Sequence, residues 1–217
     1  MPTILLIRHG ESQSNVGLPT KHPEGVELTH LGMGQAECIA DYLEVHVCPD
    51  RIVTSCYLRA KQTAMPTKSR FSSVPDEEWP VHEFTYLSLT DFLICSTVED
   101  RKPLVDAYWE LCDSASIDGP GSESFEQFIA RVRGVMKKFE EVARGETVVI
   151  FSHEQFICAV YWLLTYNPVH ISSRMMRHFK NFLKENSIPN AGLLRLQRHD
   201  DQSDWQPEVI WPLVTYM

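Results

Sequence analysis

The sequence lacks any excess of basic residues. Its 20 lysines and arginines stand against 29 aspartates and glutamates, so the net charge is −9 with histidine neutral. Because nucleic acids and anionic membranes are bound by basic surfaces, this balance argues against both as partners. Long hydrophobic runs are also missing, since the longest, Phe156 to Leu164, has nine residues and is too short to span a bilayer. The first ten residues lack the basic segment and the cleavage site of a signal peptide, and we expect none there.

The six cysteines have neither the density of a disulfide scaffold nor the CxxC spacing of a zinc or redox site. We therefore expect reduced thiols and a cytoplasmic protein, while one disulfide pair remains an alternative. No feature of the sequence fixes the oligomeric state. The length of 217 residues and the hydrophobic content of 43% are ordinary for a globular protein. They predict one domain over residues 1–217 that needs no metal or disulfide to fold.

Short β-branched runs alternate with helical patterns along the chain, which predicts a layered α/β domain. The predicted strands are 3–7, 51–55, 79–84, 147–151, 193–196 and 209–213. The predicted helices are 30–45 after the N-cap Thr29, 58–68 with an interruption near Pro66, 123–144 after the N-cap Ser122, 155–164, and one within 170–185. We expect the last two strands to pair, and residues 85–121 to form an irregular lid that faces the substrate.

Basic and imidazole side chains follow three predicted strands at the point where each strand ends. Arg8 and His9 follow the first strand, Arg59 opens the helix after the second, and His153 follows a later strand. The carboxyl ends of strands in an open α/β sheet meet at one edge, and the helix N-termini there add positive dipole ends. The pattern predicts a site for a small anion, with phosphate first because arginine forks match its oxygens. Each residue alone is more often a solvated arginine or a packed histidine, so the prediction depends on their convergence.

Five ordered motifs cover nearly the whole chain. They are LLIRHGES at 5–12 with Asn15 beyond it, LTxxGxxQA at 28–36, SxxxRAxQTA at 55–64, ESxxxxxxR at 123–131, and SH at 152–153. In this order they resemble the motifs of the histidine phosphatase superfamily, which is also called phosphoglycerate mutase-like. The resemblance implies a three-layer α/β/α sandwich around a mostly parallel central sheet. It also implies a small phosphate ester as the substrate, with no metal or other cofactor.

The resemblance further implies roles for individual residues. His9 is the nucleophile that attacks phosphorus and forms a phosphohistidine. Arg8, Arg59 and His153 form the phosphate clamp, and Asn15 adds a neutral hydrogen-bond donor. We expect the two flanking arginines to keep the imidazole of His9 neutral.

An acidic residue after the third strand protonates the leaving alcohol in this family. Glu83 lies at the right distance along the chain, and we expect it to act first as the general acid and then as the base toward water. The ordinary alternative for Glu83 is an exposed loop carboxylate. The competing carboxylates are Asp76, Glu77 and Glu78, which lie before the predicted strand, and Asp91.

Two positions depart from the family pattern. Glu154 stands after the second histidine, where the family usually has glycine, and Gln155 stands where mutases tend to have asparagine. A carboxylate beside a phosphate site is unfavourable unless it points away or forms a salt bridge. The detailed shape of the pocket is therefore open at this stage.

Residues 85–121 bear on the choice between phosphatase and mutase. Mutases of this family have a basic insertion with paired arginines there, whereas this chain has Arg101 and Lys102 among acidic and aromatic residues. We therefore expect hydrolysis of a phosphomonoester whose alcohol is not strongly anionic, although packing of a lid over the core also explains the aromatic residues. The alternatives are a mutase-type phosphotransferase and a phospho-ligand-binding module without turnover. His170 and His178 lack partners at metal-ligand spacing and are expected on the surface.

Overall fold

A strand that is buried on both faces lies at the centre of the sheet. In the computed structural model, which describes residues 1–198 and 204–210, this strand is β1, Thr3–Arg8. The other strands are β2 Arg51–Thr54, β3 Asp76–Glu78, β4 Thr147–Ser152, β5 Leu193–Gln197 and β6 Gln206–Ile210. Their order across the sheet is β3-β2-β4-β1-β5-β6. Strands β1 to β4 pair in parallel, whereas β5 pairs antiparallel with β1 and with β6.

Helices cover both faces of this sheet. They are α1 His30–His46, α2 Leu58–Arg70, α3 Leu89–Ile94, α4 Val98–Leu111, α5 Phe125–Phe139, α6 Glu154–Tyr166 and α7 Ser173–Glu185, with a short 3-10 turn at Pro23–Gly25. Because neighbouring strand residues point to opposite faces, Leu6 packs in the core that holds Phe128 of α5, and Ile7 packs with Ile39 of α1. The architecture is the expected three-layer α/β/α sandwich around a mostly parallel sheet.

Several element predictions are confirmed within a few residues. The hydroxyl of Thr29 caps α1 by accepting a hydrogen bond from the Gly32 amide, and β5 and β6 form the expected terminal pair. Residues 211–213 of the last predicted strand lie outside the described residues. All six cysteines are free thiols. Within the two described ranges, every helix is too short or too polar to cross a membrane.

The strand predicted at 79–84 is wrong. The edge strand is β3, which pairs with β2, and the chain after it continues as an extended loop. Trp79 and Val81 are buried, so their alternation with polar neighbours imitates a strand. Pro80 lies between them and has no N–H for a sheet ladder, which explains why the pairing stops before it.

The irregular conformation predicted for residues 85–121 is also wrong, because this segment contains α3 and α4. Ser88 caps α3, and Thr97 forms a capping box with Asp100 at the start of α4. Pro103 lies inside α4, and the caps together with the aromatic packing of that helix outweigh the energetic cost of this proline. Two helices therefore stand where an irregular segment was expected, and the role of this segment as a lid stays a prediction.

Two helix boundaries need correction. Helix α2 is not interrupted at Pro66, because Thr63 and Thr67 lie fully buried on either side of it. Packing of that face therefore outweighs the cost of about 3 kcal/mol for an internal proline. Helix α5 is capped by Ser124 rather than Ser122, through a second capping box, and it ends at Phe139 rather than near 144.

Candidate active site

The imidazole of His9 lies at the carboxyl end of β1 and is 3% exposed. Its Nδ1 donates to the carbonyl oxygen of Gly10 at 2.7 Å, which leaves the lone pair on Nε2. The Nε–H of Arg59 donates to that Nε2 at 3.0 Å. Burial, followed by the charges of Arg59 and Arg8, lowers the pKa of His9 well below its usual value of 6.5. His9 is therefore a neutral imidazole with one defined nucleophilic nitrogen.

A close backbone approach positions this histidine. The amide of Gly10 donates to the hydroxyl of Thr63 at 3.0 Å, and a Cβ on Gly10 would lie 2.5 Å from the carbonyl oxygen of Gly32. A Cβ on Gly32 would in turn lie 2.0 Å from the carbonyl oxygen of Glu11. Both glycines are therefore required where the start of α1 passes the end of β1.

The two predicted arginines reach the same place from different elements. Arg59 projects from the first turn of α2, is 8% exposed, and donates from Nη1 to the carbonyl oxygen of Pro23 at 2.6 Å. Burial lowers its pKa to about 10, so it is still a cation at neutral pH. Arg8 donates from Nη1 to the carbonyl oxygen of Ile188, and its buried Nε has no partner among the described residues.

Glu154 also binds Arg8, which answers the question raised by its place in the motif. Its Oε2 lies 2.9 Å from Nη1 of Arg8, and its Oε1 accepts from the hydroxyl of Ser187 at 2.5 Å. The unexpected carboxylate is therefore held in a salt bridge at the wall of the cavity described below.

His153 lies against His9 but deeper in the protein. The two ring centroids are 5.1 Å apart, and His153 is fully buried. Its Nε2 lies 2.8 Å from the hydroxyl of Ser55, while its Nδ1 is buried without a partner among the described residues. His153 does not line the cavity described next, so its contact with phosphate stays a prediction.

One cavity of about 270 Å³ joins the other predicted groups. The end with the predicted anion-binding residues is lined by Arg8, His9, Asn15, Arg59 and Glu83. Asn15 is oriented by hydrogen bonds to its Oδ1 from the amide and hydroxyl of Ser12 and from Nδ2 of Asn190. Because its oxygen is occupied in this way, its NH₂ group is the part that can donate to an anion.

Asn190 is a site residue that the sequence analysis missed. Its Nδ2 donates to the carbonyl oxygen of His9 at 3.1 Å as well as to Asn15 at 3.2 Å. The loop that carries it includes Ala191, whose φ of 62° is unusual for a residue with a side chain. An Asn-Ala-Gly turn directly before β5 is the local signal that could have indicated this tight loop.

Glu83 lies in the loop after β3 and lines the same cavity as His9. Its Oε1 accepts from the amides of Phe84 at 3.2 Å and Gln155 at 3.0 Å. Burial raises the pKa of its carboxyl group, the charge of Arg59 opposes that rise, and the charge of Glu154 adds to it. A carboxyl group with a raised pKa is suited to donate a proton near neutral pH.

The competing carboxylates lie elsewhere, and none of the four lines the cavity. Asp76 and Glu78 belong to the exposed edge strand, where they pair with Lys68 and Lys61. Glu77 is also on β3, and Asp91 accepts from the hydroxyl of Ser88 in the lid.

The ESxxxxxxR motif holds the loop that presents Glu83. Arg131 of α5 donates to the carbonyl oxygens of Pro80 and His82, each at 2.9 Å, and forms a 2.5 Å ion pair with Glu123. The amide of Glu123 donates to the carbonyl oxygen of Thr85 at 2.8 Å. The motif therefore positions the loop on both sides of the acid.

Residues of α3, α4 and the segment before them also line the cavity, and the part that they line is called its far end here: Tyr86, Leu87, Phe92, Val98, Arg101 and Val105. Arg101 donates to the carbonyl oxygens of Cys95 and Ser96, each at 2.8 Å, and lies over the ring of Phe92. Lys102 is exposed and pairs with Asp106. His170 and His178 are both exposed, as expected. No three His, Cys, Asp or Glu side chains within 1–198 and 204–210 are grouped to hold a metal ion.

Comparison with known proteins identifies the class. The profile of the histidine phosphatase superfamily (branch 1) matches residues 4–205, and the chain belongs to this superfamily. The motifs, the fold and the site therefore indicate the same family.

The individual relatives described next share less than 30% sequence identity with this chain. The chain is 28% identical over 163 residues to a metal-independent phosphoserine phosphatase of Arabidopsis thaliana, covering 75% of this chain and 68% of that protein. It is 27% identical over 164 residues to a 5''-phosphoribostamycin phosphatase of Niallia circulans, covering 69% and 72%. A solved mycobacterial glucosyl-3-phosphoglycerate phosphatase has the same fold, with a TM-score of 0.71 at 24% identity over 98% of this chain and 99% of that one.

Proposed function

We propose that the protein hydrolyses a phosphomonoester of a small metabolite through a phosphohistidine at His9, without a metal or other cofactor. The observation that carries this proposal is the pairing of a neutral imidazole with a partly buried carboxyl group of raised pKa in one cavity with two arginines. Membership of the superfamily and two relatives named as phosphatases support it.

In the first step, Nε2 of His9 attacks phosphorus and the bond from phosphorus to the ester oxygen breaks. Glu83 gives its proton to that oxygen, so the alcohol leaves neutral. Arg8 and Arg59 neutralise the charge on the equatorial oxygens, with Asn15 as a further donor. Since Arg59 donates to Nε2 of His9 in this structure, its fork must turn to the phosphate before the attack.

In the second step, the Glu83 carboxylate takes a proton from water, and the hydroxide attacks the phosphoryl group. The bond from nitrogen to phosphorus breaks, inorganic phosphate forms, and His9 recovers its lone pair. Glu83 is then protonated again and ready for the next ester.

The far end of the cavity favours a phosphatase over a mutase. A bisphosphate or phosphoglycerate needs cations for its second anionic group. Arg101 is the lining cation at that end, and it is engaged by two backbone carbonyls. We therefore propose an alcohol that is mainly neutral and apolar at the end that meets Tyr86 and Phe92.

The proposal is tested with p-nitrophenyl phosphate and a panel of phosphorylated metabolites in the presence of a chelator. We expect phosphate release that falls at least about a thousandfold in His9→Ala, a loss of about 4 kcal/mol of barrier lowering. His170→Ala, at an exposed histidine, is the matched control and should behave as wild type. Tight phosphate binding with no release from any ester would instead indicate a binding module. Activity that requires a bisphosphate primer would indicate a mutase.

A further inference from the structure

Glu154 occupies the position where an anionic ligand of Arg8 would be expected. It is the first residue of α6, directly after His153, and it lines the cavity. Its side chain is 24% exposed and that of Arg8 is 12% exposed, so their 2.9 Å ion pair is partly shielded from water. The pair joins the end of β1 to the start of α6, the two elements that carry the two histidines.

The hydrogen bonds around Arg8 leave one group without a partner. Its Nη1 is shared between the Ile188 carbonyl and Glu154, whereas its Nε is buried and has no partner among the described residues. A phosphate in the cavity could satisfy this Nε, but its oxygens and the Glu154 carboxylate would compete for the same guanidinium. Two anions beside one arginine repel each other most strongly where water is excluded.

We propose that Glu154 is a built-in competitor of phosphate for Arg8. It orients the guanidinium through this ion pair and weakens the binding of phosphate to the same side chain. This inference rests on the proposed function, because it assumes that phosphate occupies the cavity. Its consequence is a site that releases inorganic phosphate readily and resists inhibition by its own product.

A second structural feature supports a fixed position for this carboxylate. Ser187 donates to its other oxygen at 2.5 Å from the loop that also supplies Ile188 and Asn190. The carboxylate is thus held on both oxygens. Displacing it from Arg8 breaks a charge-assisted hydrogen bond, and such bonds are roughly twice as strong as neutral ones.

Glu154 also acts on Glu83 through space. The groups whose charges affect Glu83 come from three elements: Arg8 of β1, Arg59 of α2 and Glu154 of α6. The Tyr86 phenol and the Cys158 thiol also interact with its charge. Glu154 raises the pKa of Glu83, so loss of its charge shifts deprotonation of the acid to lower pH.

The test compares wild type with Glu154→Gln, which keeps the shape and removes the charge, and with Glu154→Gly. Binding of inorganic phosphate is measured by calorimetry and as competitive inhibition of ester hydrolysis. We expect at least about tenfold tighter phosphate binding in both variants, equivalent to about 1.4 kcal/mol. The alkaline limb of kcat/KM for an alkyl phosphate should also move to lower pH in Glu154→Gln, which a purely structural role would not cause.

Glu37→Gln is the matched control, because it removes the same charge from an exposed pair with Arg70 on the surface. Its phosphate affinity and pH profile should equal those of wild type. Unchanged or weaker phosphate binding in a folded, active Glu154→Gln enzyme would overturn this inference and leave the proposed function standing. A wild-type protein that neither binds phosphate nor hydrolyses any ester would overturn the proposed function itself. If Glu154→Gln does not fold, Ser187→Ala serves as the second variant, because it removes a hydrogen bond to Glu154 but keeps the charge. We then expect a smaller change in phosphate affinity than in Glu154→Gly. An equal change would indicate a structural role of Glu154 and overturn the inference.

Discussion

The role of Glu83 is open to a decisive test, because Glu83→Gln removes its proton with little change in shape. The two amides that donate to its Oε1, from Phe84 and Gln155, can donate equally well to the carbonyl oxygen of a glutamine. The loop should therefore keep its place, since Arg131 holds it through backbone carbonyls rather than through this side chain. The substitution tests proton transfer rather than folding.

General acid catalysis contributes roughly a hundredfold to ten-thousandfold to a rate, or about 3–5 kcal/mol of barrier. We expect Glu83→Gln to lose this factor on alkyl phosphates, whose alkoxide needs the proton. The leaving group of p-nitrophenyl phosphate departs without protonation, so on this ester the rate of the first step should fall less than about tenfold. Burst kinetics separate this first step from the hydrolysis of the phosphohistidine, where Glu83 acts as base.

The pH dependence gives the same test a second readout. The acid must be protonated, so wild-type kcat/KM on alkyl phosphates should fall as pH rises through the pKa of Glu83, which lies above its usual value of 4.5. On the acid side, activity should fall only as His9 gains a proton, well below pH 6.5. The alkaline limb should disappear in Glu83→Gln. Equal losses on aryl and alkyl esters, or an unchanged alkaline limb, would refute the assignment. Glu78→Gln, at a carboxylate paired with Lys61 on the edge strand, is the control.

Two further substitutions test the anion-binding end and the backbone that supports it. Arg59→Lys should lower kcat/KM at least about tenfold although the charge is kept, because a lysine cannot replace the fork that hydrogen-bonds to His9 here and is proposed to turn to the phosphate. Steady-state kinetics measure this, with Arg70→Lys as the surface control. Gly10→Ala should destabilise the fold by about 1–3 kcal/mol or more, because its Cβ would lie 2.5 Å from the carbonyl oxygen of Gly32. Urea denaturation measures this, and Gly134→Ala in α5, which meets nothing within 4 Å, should instead be neutral or stabilising.

The parts of the site that local motifs specify were predictable from the sequence. Arg8, His9 and His153 follow strands of one parallel sheet, and the geometry of such sheets brings strand ends together. Glu83 was located through the resemblance to a family rather than through its own surroundings. Its neighbours Asp76 and Glu78 look similar in the sequence and differ in the structure because the sheet edge exposes them.

The parts that depend on contacts between distant segments were not predictable. The ion pair of Glu154 with Arg8 and the hydrogen bond of Asn190 to Asn15 form between residues far apart in the chain. The lid is a different case, since the capping box of Thr97 with Asp100 was present as a local signal. The sequence analysis did not use that signal, and tertiary packing accommodates Pro103 inside α4.

Burial, more than the charges of the arginines, sets the direction in which the pKa values of His9 and Glu83 shift. Arg59 lowers the pKa of both His9 and Glu83, which helps the nucleophile and hinders the acid. Burial is the largest influence on both groups, and it lowers the pKa of the imidazole while it raises that of the carboxyl group. Exclusion of water thus favours the neutral form of both groups, as the proposed nucleophile and the proposed acid require. We therefore expect the helices α3 and α4, whose Phe92 and Val98 line the cavity, to influence the protonation of both groups as well as substrate choice.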